Sequence, residues 1–404
     1  MLKVVIDATP VQPKPSGVGL YVANLIRYLY LLQNQGDIHF QLGIVYQPGM
    51  KNWLRGNLSC PKLLAEYSNL YVMPLPVRIS NPLFLASPKI FQSYFEPSLN
   101  YPNIIHGTNY FVYPCKRSKK VMTLYDLTFI KYPQYINSVV KEYANRVRQC
   151  LKWTDLVITI SESSKRDIVE YLEIDPSRVY VAPLASRYYP EYLSDLLAEK
   201  IIAKGEEAAS QVRSQPDDNE NKYDFSKPYL LFVSTIEPRK NITNLIRAFN
   251  YLKQKYKIEH QLVLVGQKGW HYEPIFAEIE GSAFKSEIHH LDYLSDEMVA
   301  LFYSKADAFV YPSHYEGFGL PVLEAMTLGT PVITSNTSSL PEVVGDAALL
   351  VDPNDAMGLA EAILQVISDS QFRQELIKKG KERAKMFSWE RTARETLKAY
   401  NLLF

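Results

Sequence analysis

Cysteine is scarce: Cys60, Cys115 and Cys150 are the three in 404 residues. A sparse, odd set argues against a disulfide framework and fits a reducing compartment. None stands in a C-x-x-C pair, so no zinc site is expected. An excess of one charge is lacking too, with 44 Lys and Arg against 43 Asp and Glu. That balance speaks against nucleic acid as the main partner. No apolar run approaches the ~20 residues of a membrane span. The opening MLKVVIDATP lacks the apolar core, about 7–15 residues long, of a signal peptide. A cytoplasmic protein is therefore expected.

What is present is apolar content, 47% of residues, in a chain long enough for two cores of ~150–200 residues each. LKVVIDA, HFQLGIVY, LYVMPLP, NIIHGTN, KVMTLYDL, DLVITIS and RVYVAPL read as strands in the first half. GLYVANLIRYLYLL, SVVKEYANRVRQCLKW and SSKRDIVEYLEI read as helices among them. Residues 186–227 turn polar and charged and read as a linker. The alternation restarts with PYLLFVS, then QLVLVG, EIHHLDYL, AFVYPS, PVIT and ALLVDP, with helices at NITNLIRAFNYLKQ, PVLEAMTL, DAMGLAEAILQVIS and DSQFRQELIKKGKERAKMF. SWERTARETLKAYNLLF reads as a last amphipathic helix. The pattern predicts an α/β protein of two doubly wound parallel-sheet domains, residues 1–185 and 228–387, with a terminal helix over 388–404. Two such sheets facing one another would leave a central cleft at the carboxyl ends of their strands, where ligands bind.

Three stretches just after strands carry unusual chemistry. In DATPVQPKPSGVGLYVANL, Gly17 and Gly19 sit between strand and helix, where backbone N–H groups can meet an anion. The dinucleotide fingerprint is incomplete, since Val22 stands at the third glycine position; a flexible turn is the plainer reading. In STIEPRKNITNLIRAF, Arg239 and Lys240 precede a helix that Asn241 or Thr243 would cap. Cations at a helix N-terminus oppose its dipole, and a diphosphate held between them would remove the conflict. A solvated basic turn is the alternative.

In HYEGFGLPVLEAMTLGTPVI, Pro321 suits the start of a helix and Gly329 its stop. Phe318, Gly319 and Leu320 then present N–H groups at the helix start, with Glu324 in the first turn and Glu316 on the loop before it. Paired carboxylates of this kind grip sugar or ribose hydroxyls; a general acid/base pair, or one helix-dipole glutamate plus one surface glutamate, are the other readings.

Together, E-x7-E from Glu316 to Glu324, EPRKN before it and GVG after the first strand resemble the retaining glycosyltransferases of the sucrose-synthase-like family, family 4, the group 1 glycosyltransferases. LVGQKGW, DYLSDEMVALFYSKADAFVYPS and SNTSSLPEVVGDAALLVDP are similar to that family as well. The resemblance implies a GT-B fold of two Rossmann-like domains, acceptor-binding first and nucleotide-sugar-binding second, with the last helix packing back on the first. It implies that Glu316 holds donor-sugar hydroxyls, Glu324 the ribose, and Arg239 and Lys240 the diphosphate. The amides of Phe318, Gly319 and Leu320 would approach sugar and phosphate. Gly17 would belong to the N-terminal glycine loop, and Tyr293 and Leu294, beside Asp292, would lie near the base.

No D-x-D occurs, so the family resemblance implies a metal-independent transfer with no cofactor, in which the cations replace the metal. No residue stands out as a nucleophile, as a front-face retaining transfer would allow. Many relatives carry histidine where this chain has Tyr125 before Asp126; His106 and Asp126 are the acceptor-side candidates. The expected partners are a nucleotide sugar, with UDP-glucose preferred to GDP-mannose, and a saccharide acceptor, lipid-linked, in cell-surface polysaccharide assembly. Lys116, Arg117, Lys119 and Lys120, with Lys141, Arg146, Arg148 and Lys152, form a basic group. It suits peripheral contact with the anionic inner face of a plasma membrane, against the plainer reading of a solvated surface. A sugar-nucleotide epimerase and a two-domain solute-binding protein are the competing classes.

Overall fold

The computed structural model describes residues 1–12, 17–36, 39–135, 138–188 and 223–404. The expected linker therefore lies almost wholly outside the described residues. The chain divides into two compact units: Met1–Pro133, Ser138–Leu184 and Trp389–Phe404 form one, and Ala185–Ser388 makes up nearly all of the other.

Among its described residues the first unit holds seven strands: β1 Leu2–Asp7, β2 Phe40–Tyr46, β3 Leu70–Val72, β4 Ile104–Gly107, β5 Lys119–Thr123, β6 Leu156–Thr159 and β7 Val179–Val181. Their order is β3-β2-β1-β4-β5-β6-β7, and every pairing is parallel. A parallel sheet covered on both faces selects strands without polar alternation. Val4, Val5 and Ile6 of β1 accordingly lie buried, in register with Leu42, Gly43 and Ile44 on one side and Ile104, Ile105 and His106 on the other.

The second unit holds β8 Tyr229–Val233, β9 Gln261–Val265, β10 Ile288–Leu291, β11 Ala308–Tyr311, β12 Val332–Ser335 and β13 Ala348–Val351. The order β10-β9-β8-β11-β12-β13 is again parallel throughout. In each sheet the direction of strand addition reverses once, between β1 and β4 in the first and between β8 and β11 in the second. Outside the carboxyl ends of such a pair the flanking loops diverge and leave a crevice, the usual ligand site of open α/β sheets.

The terminal helix, Trp389–Asn401, belongs to the first unit. Its apolar face explains why: Trp389, Ala393, Leu397 and Tyr400 are buried, Trp389 beside Tyr21 of the Gly17–Gln35 helix. Thr392 donates to the Pro183 carbonyl, and the Tyr400 hydroxyl meets His106 Nδ1 at 2.7 Å. Short helices between residues 50 and 99 escape the sequence reading. Lys62–Ala65 is a single turn and Val77–Ala86 contains Pro82, so neither shows a helical period. Among the described residues no helix is long and apolar enough to cross a membrane.

Candidate active site

The loops after β8 and β11 bring the cationic and acidic motifs together. β8 leads to a tight turn, Pro238–Lys240, and then to the Ile242–Tyr256 helix. β11 is the neighbour of β8, pairing Ala308 with Leu230 and Phe309 with Leu231. Its loop runs through Ser313 and Glu316 to the Leu320–Leu328 helix. Lys240 and Glu316, far apart in sequence, thus meet at the point where strand order reverses.

Glu316 is the centre of the cluster. Its Oε1 accepts from Lys240 Nζ at 2.6 Å, Ser313 Oγ at 2.7 Å and the Tyr311 hydroxyl at 2.9 Å. Its Oε2 lies 3.1 Å from Arg239 Nη1. Arg239 also pairs with Glu237 at 2.7 Å, and Lys240 Nζ donates to Tyr311 at 2.7 Å. Burial pushes the Glu316 carboxyl up, but Arg239 and Lys240 outweigh it and hold it at about 2. Lys240 is pushed down by burial and by Arg239, against the pull of Glu316 and Glu237.

Two cations and two carboxylates therefore offset one another, which corrects a sequence expectation. The conflict of Arg239 and Lys240 with the helix dipole needs no bound anion to relieve it, because Glu237 and Glu316 are already there. Asn241 is no side-chain cap either: it adopts φ 59° and its amide donates to the Pro312 and Pro353 carbonyls.

The helix after Glu316 begins as the sequence predicts, with Pro321 in its first turn and Gly329 at its stop with φ 81°. Gly319 at its N-cap has φ 111°, and a Cβ there would lie 2.8 Å from Leu340 Cδ2. Only glycine combines that conformation with that contact. No side chain caps this terminus, so the backbone amides at its start are the donors it offers. Ser339 Oγ donates to the carbonyls of Glu316 and Phe318, and Ser338 Oγ accepts from the Glu316 amide, which fixes the loop.

Glu324 lies in the second turn rather than the first and is 1% exposed. Its Oε1 accepts from Arg187 Nε at 2.7 Å, and Arg187 also reaches Asp296 at 2.7 Å. Burial pushes the Glu324 carboxyl above its usual range, with Arg187 opposing.

The family assignment follows from comparison. The description "glycosyl transferases group 1" matches residues 214–383. The O-antigen chain mannosyltransferase B of Escherichia coli is 34% identical over 304 residues, 74% of each chain. The chain belongs to the group 1 glycosyltransferases. The serotype-specific mannosyltransferase WbdA of Escherichia coli is 28% identical over 263 residues; the match covers 65% of this chain and 30% of WbdA. Among solved structures, sucrose-phosphate synthase from Thermosynechococcus elongatus superposes with TM-score 0.71 at 20% identity, covering 100% of this chain and 99% of that one. The two parallel-sheet units have the GT-B fold of such neighbours.

The remaining expected site residues of this glycosyltransferase are divided between the two units. Tyr293 and Leu294 follow β10, two strands from β8, Tyr293 exposed and Leu294 half-buried. Gly17 opens the first helix, and a Cβ there would meet nothing within 4 Å. Asp126 is half-buried beyond β5, its carboxylate accepting from the Thr128 amide. His106 is corrected as an acceptor-side group. It is fully buried, and its ring nitrogens are occupied by Tyr400 and by Thr123 Oγ1, each at 2.7 Å. Burial lowers it to about 3, so it is a neutral brace inside the sheet.

Of the expected basic group, Lys116, Arg117, Lys119, Arg148 and Lys152 are exposed, and Lys120 and Arg146 are half-buried. Lys120 pairs with Asp155 at 3.0 Å, Arg117 lies over the Tyr101 ring at 4.4 Å, and Arg146 turns inward onto Tyr143 at 4.0 Å. The side chain of Lys141 lies outside the described ones.

Sequence reading missed Glu237, Tyr311, Ser313 and Arg187. Glu237 stands in the quoted EPRKN, where its acid was a visible signal. Tyr311 and Ser313 had none beyond their place after a strand. Arg187 stands at the edge of the expected linker.

Proposed function

We propose that this chain is a mannosyltransferase of polysaccharide assembly, moving mannose from GDP-mannose to a growing, lipid-linked saccharide with retention at the anomeric carbon. Two curated relatives named above as mannosyltransferases support mannose over the UDP-glucose preferred from sequence. One observation carries the chemistry: Glu316, Lys240, Arg239 and Glu237 form one buried knot at the switch point, beside the uncapped start of a helix.

In this reading the diphosphate draws Arg239 and Lys240, while Glu316 turns its accepting oxygens to the sugar hydroxyls. As the bond from the anomeric carbon to the phosphate oxygen lengthens, negative charge grows on the leaving group. Preorganised cations and backbone amides stabilise that charge more than the ground state. The acceptor hydroxyl attacks the same face and passes its proton to the departing phosphate oxygen. No protein nucleophile and no metal enter this scheme. Ribose hydroxyls replace the long 3.5 Å contact of the Tyr303 hydroxyl at Glu324 Oε2, while Arg187 keeps Oε1.

The test uses purified protein with labelled GDP-mannose and UDP-glucose, a mannose-containing acceptor, and NMR of the product anomer. Transfer from GDP-mannose with retained configuration is expected, as is thermal stabilisation by GDP, about 2.7 kcal/mol at a hundred times its dissociation constant. Transfer from UDP-glucose alone would overturn the donor, and an inverted product the mechanism.

A further inference from the structure

Arg187 joins two helices of the second unit. That unit begins at Ala185, so Arg187 stands at its entry, ahead of every strand of its sheet. Arg187 Nε donates to Glu324 Oε1 on the Leu320–Leu328 helix at 2.7 Å. Its Nη1 pairs at 2.7 Å with Asp296 Oδ1, in the first turn of the Asp296–Lys305 helix. The next residue ties down the same helix: the Tyr188 hydroxyl donates to the Asp296 carbonyl at 3.0 Å, and its ring meets Tyr303 edge-on with centroids 6.4 Å apart. Tyr293 and Leu294 directly precede Ser295, the cap of that helix. One guanidinium therefore spans the carboxylate expected at the ribose and the segment expected near the base.

Charge explains why an arginine stands here. Glu324 is 1% exposed, and removal from water favours the neutral form of a carboxyl. An ion pair buried for stability alone gains little over apolar packing; what this pair yields is an ionised carboxylate in a fixed place. Burial is the largest influence on Glu324 and raises its carboxyl. Arg187 and the Tyr303 hydroxyl oppose that rise, and Asp296 adds to it. Without the guanidinium the main opposing charge is gone, so the carboxyl climbs further and takes up a proton as pH falls. With Oε1 taken by Arg187, Oε2 faces a single long contact, the Tyr303 hydroxyl at 3.5 Å. An ionised carboxylate oxygen has two lone-pair sites, enough for the two neighbouring hydroxyls of a ribose. A protonated oxygen loses one of them and gains a competing O–H.

We propose that Arg187 is a positioning residue for the donor nucleoside, an assignment that rests on the glycosyltransferase reading: it holds Glu324 as an aimed carboxylate whose Oε2 takes both ribose hydroxyls, and so selects ribonucleoside over 2′-deoxyribonucleoside diphosphates. Arg187→Met and Arg187→Lys test it in the full-length chain. Calorimetric titration with GDP and UDP, each beside its 2′-deoxy form, and with pyrophosphate is run at about pH 6 and about pH 8.5, on either side of a carboxyl raised by burial. The wild type should bind the ribonucleotide about tenfold more tightly than its 2′-deoxy form at both pH values, the scale of one hydrogen bond to a charged group. Arg187→Met should lose that ratio at the lower pH and keep much of it at the higher; Arg187→Lys, which retains the charge, should keep it at both. The ratio cancels the phosphate ionisation that the two nucleotides share. Pyrophosphate should bind all three proteins alike, which also shows that the variants fold; Arg187→Gln serves where the methionine variant does not. A merely structural arginine would instead weaken both nucleotides equally at both pH values. That result, an unchanged ratio in Arg187→Met, or no preference for ribose in the wild type would each overturn the role of Arg187. Nucleotide binding without ribose preference would sink this role alone; binding of neither nucleotide nor pyrophosphate would count against the glycosyltransferase reading as well.

Discussion

Lys240 has few alternatives to its present partners. It is 5% exposed, with Glu316, Tyr311 and Arg239 around it. Replacing it with alanine should lower turnover about 10²–10³-fold, the scale for one preorganised electrostatic donor. Steady-state kinetics with saturating donor checks this, and an unchanged kcat would refute the clamp. Asp7 makes the opposite case. Burial raises its carboxyl from 3.8 to about 6, against hydrogen bonds from Thr9. The folded state thus holds the proton more tightly. Stability linked to this group is full below about pH 3.8 and declines as pH rises through about 6, by about 3 kcal/mol in all. Asp7→Asn should therefore raise the unfolding temperature at pH 8 and leave it unchanged near pH 3.5. Equal effects at both values would show that the carboxylate is not the strained group.

At the scale of elements, the loop from β11 into the Leu320–Leu328 helix is the most tightly specified. Pro321 sets its first turn, Ser338 and Ser339 hold its backbone, and Gly319 takes a conformation forbidden to side chains. Gly319→Ala should cost about 1–3 kcal/mol, the range for a residue forced into a sparsely populated backbone region, read by urea denaturation. An unchanged midpoint would mean that the loop relaxes freely. This element was legible in sequence because proline and glycine punctuate it. The Val77–Ala86 helix was not, since Pro82 stands inside it.

For the whole molecule, the chain returns to its first unit only at the end. Residues 389–404 follow the second unit in sequence yet bury Trp389 and Tyr400 in the first. Ending the chain at Ser388 should expose that apolar face and remove the Tyr400 partner of His106, leaving a buried nitrogen unmet. Hydrogen exchange should then speed up in β4 to β6 while β8 to β13 stay protected. Uniform protection, or loss in both units together, would contradict the division of the chain.

The thirteen strands among the described residues, the two parallel sheets and the motif set that marks the family were legible in the amino-acid sequence. Each rests on local periodicity or on glycine and proline at fixed offsets, information carried within a few residues. Spatial proximity alone settles that Arg239 and Lys240 are neutralised by acids, that His106 is a brace, that Arg187 pairs with Glu324 and that Arg146 lies over the Tyr143 ring. Those outcomes depend on which side chains parallel strands and their loops bring within hydrogen-bond reach, and burial then sets the charge state of the groups that meet.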